Sequence, residues 1–113
     1  MLSLLCYTTF VLKGDQALEE VTTRLVRDFK PQAIILFGSY AWGKPNEHSD
    51  LDFLVIKDGQ ESSHQLNVQA LKFLMDIDYP LDLLVYKPEE IKQKKNLFFK
   101  KIISDGKLLY GRL

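Results

Sequence analysis

The stretch ILFGSYAWGKPNEHSDLDFLV, residues 35–55, decides the fold expected of this chain. Apolar runs at its two ends predict the strands Ala33–Phe37 and Leu51–Ile56, each covered on both faces because its apolar residues are continuous. Gly38 and Ser39 directly follow the first run. Glycine permits a positive φ and the close approach of another group, and the N–H groups of such a turn suit a phosphate. The stretch therefore predicts two buried strands with a phosphate-binding turn between them.

Three acidic residues stand in strand contexts where charge is unexpected. Asp50 and Asp52 lie at the start of the second strand, on one face, roughly 6–7 Å apart at the standard rise per residue. Two carboxylates this close repel each other and resist burial, and a shared Mg²⁺ with its preference for oxygen ligands would relieve both effects. Asp82, inside the apolar run PLDLLVY, fits as a third ligand. Phosphoryl transfer with two metal ions uses this combination of carboxylates and a phosphate cradle.

Each of these features also has an ordinary interpretation. A Gly-Ser pair is a common turn, Asp50 and Asp52 could be a solvated strand end, and Asp82 could face water on an edge strand. Asp76 and Asp78 are alternative third carboxylates in the loop ahead of the third strand. The combination of all the features in this order favours a functional site that contains Asp82.

Helices are predicted on either side of these strands. Asp15 is expected to cap a helix that ends before Pro31, because apolar residues recur between them at helical spacing. Ser63 is expected to cap a second helix, and the strand Leu81–Tyr86 follows it. Pro88 suits the first position of another helix, after which come a helical segment, NLFFKKIIS, and a short strand, KLLY. The alternation predicts a small α/β (α+β) fold in layers.

The length and composition limit the function classes. A chain of 113 residues predicts a single domain over 1–113, with a core at 15–90 and C-terminal helices and a short strand over 88–113. Fifteen basic and fifteen acidic residues argue against direct nucleic-acid binding or an anionic membrane surface. The single cysteine, Cys6, rules out an internal disulfide and suits a cytoplasmic protein.

Two segments allow more than one interpretation. Residues 1–12, MLSLLCYTTFVL, are too short to cross a bilayer and lack the features of a signal peptide, so they predict an edge strand or a docking segment. The lysine-rich stretch around Phe98 and Phe99 favours a solvated helix face with core aromatics over a patch for an acidic or RNA-bound partner. Tyr40 and Trp42 could stack on a base or pack against the core.

The spacing of these residues resembles a known signature. Gly38-Ser39 is followed by ten residues and then by Asp50-Leu51-Asp52. In this the chain resembles the nucleotidyltransferase superfamily that includes DNA polymerase beta. The local form GSYAWG…SDLD is similar to the minimal nucleotidyltransferases, or MNT proteins, which are single small domains. The resemblance covers the chain from Asp15 to Tyr86.

The resemblance implies a fold and a set of residue roles. The fold would be a mixed sheet flanked by helices, and the reaction would transfer a nucleoside monophosphate from a triphosphate to an acceptor hydroxyl with Mg²⁺. By position, Gly38 and Ser39 would hold the β- and γ-phosphates, and Asp50, Asp52 and Asp82 would bind the metal and carry the catalysis. Many MNT proteins have arginine at the position of Trp42; Lys44 would then supply the positive charge for nucleotide binding.

The resemblance also implies a partner. Many MNT proteins resemble antitoxins that pair with a HEPN toxin and silence it by transferring AMP from ATP to a tyrosine. Two alternatives stay open: a catalytically idle MNT domain that regulates a partner by contact, and an adenylyltransferase for small molecules such as aminoglycosides. The second usually needs a further helical domain, for which this chain has no room. A homodimer is also possible.

Overall fold

The computed structural model describes residues 2–41, 43, 50–93 and 97–112. They form four α-helices, a π-helical turn and a four-stranded sheet. In chain order the elements are α1 (Leu2–Arg24), the π-helical turn (Leu25–Phe29), β1 (Ala33–Phe37), β2 (Leu51–Ile56), α2 (Ser63–Lys72), β3 (Leu81–Tyr86), α3 (Pro88–Gln93), α4 (Leu97–Asp105) and β4 (Lys107–Gly111).

The sheet is mixed, as predicted, with strand order β3-β2-β1-β4. Strand β1 is antiparallel to β2 and to β4, whereas β2 and β3 are parallel and are connected through α2. The two central strands are those with continuous apolar sequences, and their residues are almost all buried. The prediction that both are covered on both faces is confirmed.

The two faces of the sheet are covered by different helices. On one face, α1, the π-helical turn and α2 pack over alternate strand residues such as Leu51, Phe53 and Val55. On the other face, α4 packs through Phe99 and Ile102 against strand residues including Ile35 and Leu54. Because side chains alternate along a strand, Asp52 lies on the same face as α4.

The first helix starts earlier than predicted. Asp15 is inside α1, not its N-cap, and residues 2–12 continue the helix and do not form an edge strand. A run of about twelve apolar residues is longer than a typical strand, and length is what separates the two alternatives when periodicity does not. The sheet edges are formed by β3 and β4. A docking role for residues 1–12 stays a prediction.

The other helix boundaries agree more closely. The first helical segment ends before Pro31, where Lys30 adopts a left-handed conformation (φ 54°) and donates its N–H to Leu25 O at 2.8 Å. Ser62, not Ser63, caps α2: its Oγ accepts from Gln65 N at 3.2 Å, and Gln65 Oε1 accepts from Ser62 N at 3.0 Å. This reciprocal pair is a capping box, which needs the glutamine three residues after the serine. Pro88 is the first residue of α3, as predicted.

Within the part of the chain that the structure describes, no helix combines the length and the apolar character needed to cross a bilayer.

Candidate active site

Gly38 brings the backbone after β1 against the carboxylate of Asp52. The last residue of β1, Phe37, pairs with Asp52 on β2, and Gly38 then turns the chain with φ 79°. A Cβ atom at this position would overlap Asp52 Oδ2 and lie 3.2 Å from its Cγ. Both reasons expected for a glycine, the positive φ and the close approach of another group, are therefore present.

The turn after Gly38 is closed by its own backbone. Ala41 N donates to Gly38 O at 3.1 Å, and Gly43 N donates to Tyr40 O at 3.3 Å. These hydrogen bonds hold Ser39, which is half-buried, at the tip of β1. The predicted phosphate-binding turn thus lies directly beside Asp52, one of the three predicted carboxylates.

Asp82 lies next to Asp52 across the parallel pair of strands. The two residues are partners in the register of β2 and β3, so their side chains lie on the same face of the sheet, on strands about 4.8 Å apart. Asp50, two residues before Asp52, directly precedes β2. Partial burial raises the pKa of Asp52, and the negative charges of Asp82 and Asp50 raise it further. The three carboxylates therefore interact electrostatically.

The donor set suits a hard divalent cation. All three side chains offer carboxylate oxygens. Burial and then the charges of Asp82 and Asp50 raise the pKa of Asp52, and a bound cation would offset those charges. Among the described residues, no three His, Cys, Asp or Glu side chains are drawn together as a ready-made metal cluster. The fit to Mg²⁺ therefore rests on the ligand chemistry and the strand register.

Asp76 has a different partner. The Arg24 guanidinium binds its carboxylate, with Nη2 3.1 Å from Oδ2, and also donates to Phe73 O at 3.0 Å and to Glu20 Oε1 at 2.7 Å. This cation lowers the pKa of Asp76. Asp76 thus connects α1 to the turn after α2. Asp78 lies in the same region, on a cavity between that turn and α1. Of the three candidates for the third carboxylate, only Asp82 is paired with Asp52.

Two tyrosines and a glycine position the turn, a cluster that was not predicted from the sequence. Tyr40 packs against the core formed by α1 and α2, which settles the open question about its role. A Cβ at Gly14, inside α1, would overlap Tyr40 Oη and lie 3.0 Å from Tyr79 Oη. The Tyr79 hydroxyl interacts with that of Tyr40, and burial raises its pKa. In sequence Gly14 resembles a helix boundary, so the sequence carried no clear signal of this contact.

Part of the predicted site lies outside the described residues. Lys44, Trp42 and the segment 45–49 belong to this part. The expected role of Lys44 in nucleotide binding stays a prediction.

The sheet order, the Gly-Ser turn and the aligned aspartates together define a domain of the nucleotidyltransferase type. Residues 19–112 match the family described as polymerase beta, nucleotidyltransferase, and the chain belongs to that family.

Relatives of this chain extend the comparison. It is 28% identical over 102 residues to MJ0604 of Methanocaldococcus jannaschii, described as a candidate protein adenylyltransferase; the match covers 88% of this chain and all of the relative. A crystal structure of a toxin–antitoxin with AMP-PNP is 26% identical, with a TM-score of 0.57, over 83% of this chain and 73% of that one. The Shewanella oneidensis complex of a tri-AMPylated HEPN toxin with an MNT antitoxin shares the fold, with a TM-score of 0.51, 20% identity and coverage of 89% and 71%.

Proposed function

We propose that this chain is a Mg²⁺-dependent nucleotidyltransferase that transfers AMP from ATP to a hydroxyl group of a partner protein. The main support is the register of β2 and β3, which aligns Asp52 with Asp82 beside Gly38. Because the phosphate-binding turn and the carboxylates are adjacent, both can contact the same nucleotide. Membership of the nucleotidyltransferase family supports the same reaction class.

Each residue has a distinct role in the proposal. The backbone at Gly38 and Ser39, with Lys44, holds the β- and γ-phosphates. Asp50 and Asp52 hold the metal. Bound Mg²⁺ would neutralise phosphate charge and make the acceptor hydroxyl easier to deprotonate.

Asp82 completes the site from the neighbouring strand. It lies on the far side of Asp52 from Gly38, so we assign it to the acceptor side. In the proposed reaction it takes the proton of the acceptor hydroxyl. The acceptor oxygen forms a bond to the α-phosphorus while the bond to the β-phosphate oxygen breaks, and pyrophosphate leaves.

The proposed acceptor is a tyrosine of a HEPN-type toxin in the cytosol, with this chain as its antitoxin. Support comes from the similar structures, one described as a toxin–antitoxin with AMP-PNP and another as an AMPylated HEPN toxin with an MNT antitoxin. A partner protein that brings its own acceptor hydroxyl fits this arrangement.

The test is transfer of label from ATP to the protein encoded beside this one. The purified pair is incubated with Mg²⁺ and ATP labelled on the α-phosphate, and the modified residue is located by mass spectrometry. Label on the partner that disappears in Asp52→Ala and Asp82→Asn, and persists in the exposed control Asp78→Ala, supports the proposal. A tight complex without label, unchanged by Asp52→Ala, would instead favour an idle MNT domain that acts by binding.

A further inference from the structure

A cavity of about 270 Å³ adjoins Gly38 on the side away from Asp82. The sheet order β3-β2-β1-β4 places Asp82 on one side of Asp52, and Gly38 and β4 on the other. Helix α4 packs against β1, and its core residue Phe99 also reaches Tyr86 on β3. The residues that line the cavity are Phe37, Gly38, Phe98, Lys101, Ile102 and Asp105.

The walls of the cavity suit a flat apolar ring. Its surface is mostly apolar, with Phe37, Phe98 and Ile102 among the lining residues, and Lys101 and Asp105 lie one helical turn apart on α4. Phe98 is 50% exposed, whereas its neighbour Phe99 is 3% exposed and belongs to the core. The two rings meet edge to face, with centroids 5.7 Å apart at 61°. The core ring thus supports Phe98, which is half-exposed.

We propose that this cavity receives the base of the nucleoside triphosphate, with Phe98 as its stacking partner. The proposal rests on the proposed function, since it takes the triphosphate to lie at Gly38 and Ser39. A cavity that shares Gly38 with that turn is within reach of the rest of the same nucleotide. The acceptor, in contrast, belongs to the side of Asp82.

The size of the cavity agrees with one ring system. Pockets that bury a whole drug-sized molecule have volumes of roughly 300–1,000 Å³, and this cavity of about 270 Å³ lies just below that range. In this proposal the ribose and phosphates lie outside it, along the turn and the carboxylates. Stacking of a base on an aromatic ring tolerates different bases, so this contact adds affinity for the nucleoside and does not select ATP by itself.

The test separates the base from the phosphates. Binding of ATP and of inorganic tripolyphosphate, each with Mg²⁺, is measured by calorimetry for the wild type and for Phe98→Ala. The variant should bind ATP about tenfold or more weakly, the scale of a lost stacking contact, while its affinity for tripolyphosphate is unchanged. Phe98→Tyr should restore the affinity for ATP. Leu97→Ala is the matched control, because Leu97 precedes Phe98 on α4, is 84% exposed and does not line the cavity.

Four results would overturn the proposal. Equal affinity of wild type and Phe98→Ala for ATP would exclude the cavity as the base site. An unchanged affinity for ATP together with a raised KM for the acceptor protein would assign the cavity to the acceptor. If the wild type binds neither ATP nor tripolyphosphate, both the base site and the proposed function fail. Normal AMP transfer by Phe98→Ala at unchanged KM for ATP would overturn only the base site.

Discussion

Asp52 and Asp82 occupy the same register position on two parallel strands, beside the glycine that turns the chain after β1. Like charges on neighbouring strands destabilise a sheet. Partial burial raises the pKa of Asp52, and repulsion by Asp82 and Asp50 raises it further. In the absence of a cation the site is therefore expected to reduce the stability of the fold.

Asp52→Asn should stabilise the protein without ligands at neutral pH. Because the pKa of Asp52 is raised in the folded state, its ionised form costs stability as the pH rises through that pKa, and the cost is absent at low pH. The gain is expected to be about 0.2–1 kcal/mol, the scale of cross-strand pairs, and smaller at high salt. Urea unfolding between pH 3 and 8 measures it. Glu19→Gln, which removes an exposed carboxylate from α1, should leave the pH dependence unchanged.

Gly38→Ala should be more harmful than Gly43→Ala. Both glycines have positive φ, 79° and 74°, so both substitutions carry backbone strain of about 1–3 kcal/mol. The Cβ at residue 38 would meet the Asp52 carboxylate, whereas no atom of the described residues lies within 4 Å of the one at residue 43. The difference between the two unfolding free energies isolates that overlap. Equal losses would show that the approach of Asp52 to Gly38 does not constrain the fold.

The effect of Gly14→Ala on the free energy of unfolding should change sign when Tyr40 is replaced by alanine. Alanine favours an ordinary helix position over glycine by about 1 kcal/mol, but here its Cβ would overlap Tyr40 Oη. The substitution should therefore destabilise the wild type and stabilise a Tyr40→Ala background. Unfolding of the four proteins in a double-mutant cycle measures the coupling. Additive effects would contradict the contact.

Asp76→Asn and Asp82→Asn should separate structure from catalysis. Asp76 is ionised through its pairing with Arg24, which lowers its pKa, so its loss should reduce stability at neutral pH and have less effect at low pH or high salt. The rate of AMP transfer should be unchanged. Asp82→Asn should lower that rate by about 10²–10⁴-fold, as expected for loss of a catalytic base. A large loss of activity in Asp76→Asn would contradict these assignments.

The sequence predicted the bounds of the strands better than the start of α1 or the burial of Phe98. Strands β1, β2 and β3 have the predicted bounds because continuous apolar runs end at clear turn residues. The start of α1 was missed because Gly14-Asp15 looks like a helix boundary in sequence, whereas Gly14 is small to accommodate Tyr40 from a distant turn. The expected burial of both C-terminal aromatics holds only for Phe99.

The site was predictable as a set of residues and not as an arrangement. The spacing from Gly38 to Asp52 is visible in the sequence, and the suspicion about Asp82 came from an acid in an apolar strand. Whether Asp82 lies opposite Asp52 depends on the register of two strands joined through α2. Such pairing is decided by packing across the whole sheet, which periodicity does not report.

Asp50 and Asp52 follow a loop, whereas Asp82 lies inside a strand, so insertions ahead of them should have different effects. Added residues among positions 43–49 lengthen the connection between β1 and β2 and leave the pairing of Phe37 with Asp52 available. A single residue added inside β3 ahead of Asp82 would turn that carboxylate to the opposite face, beneath α2. Active variants of this chain should therefore tolerate changes in the length of the β1–β2 connection but keep the spacing from the start of β3 to Asp82.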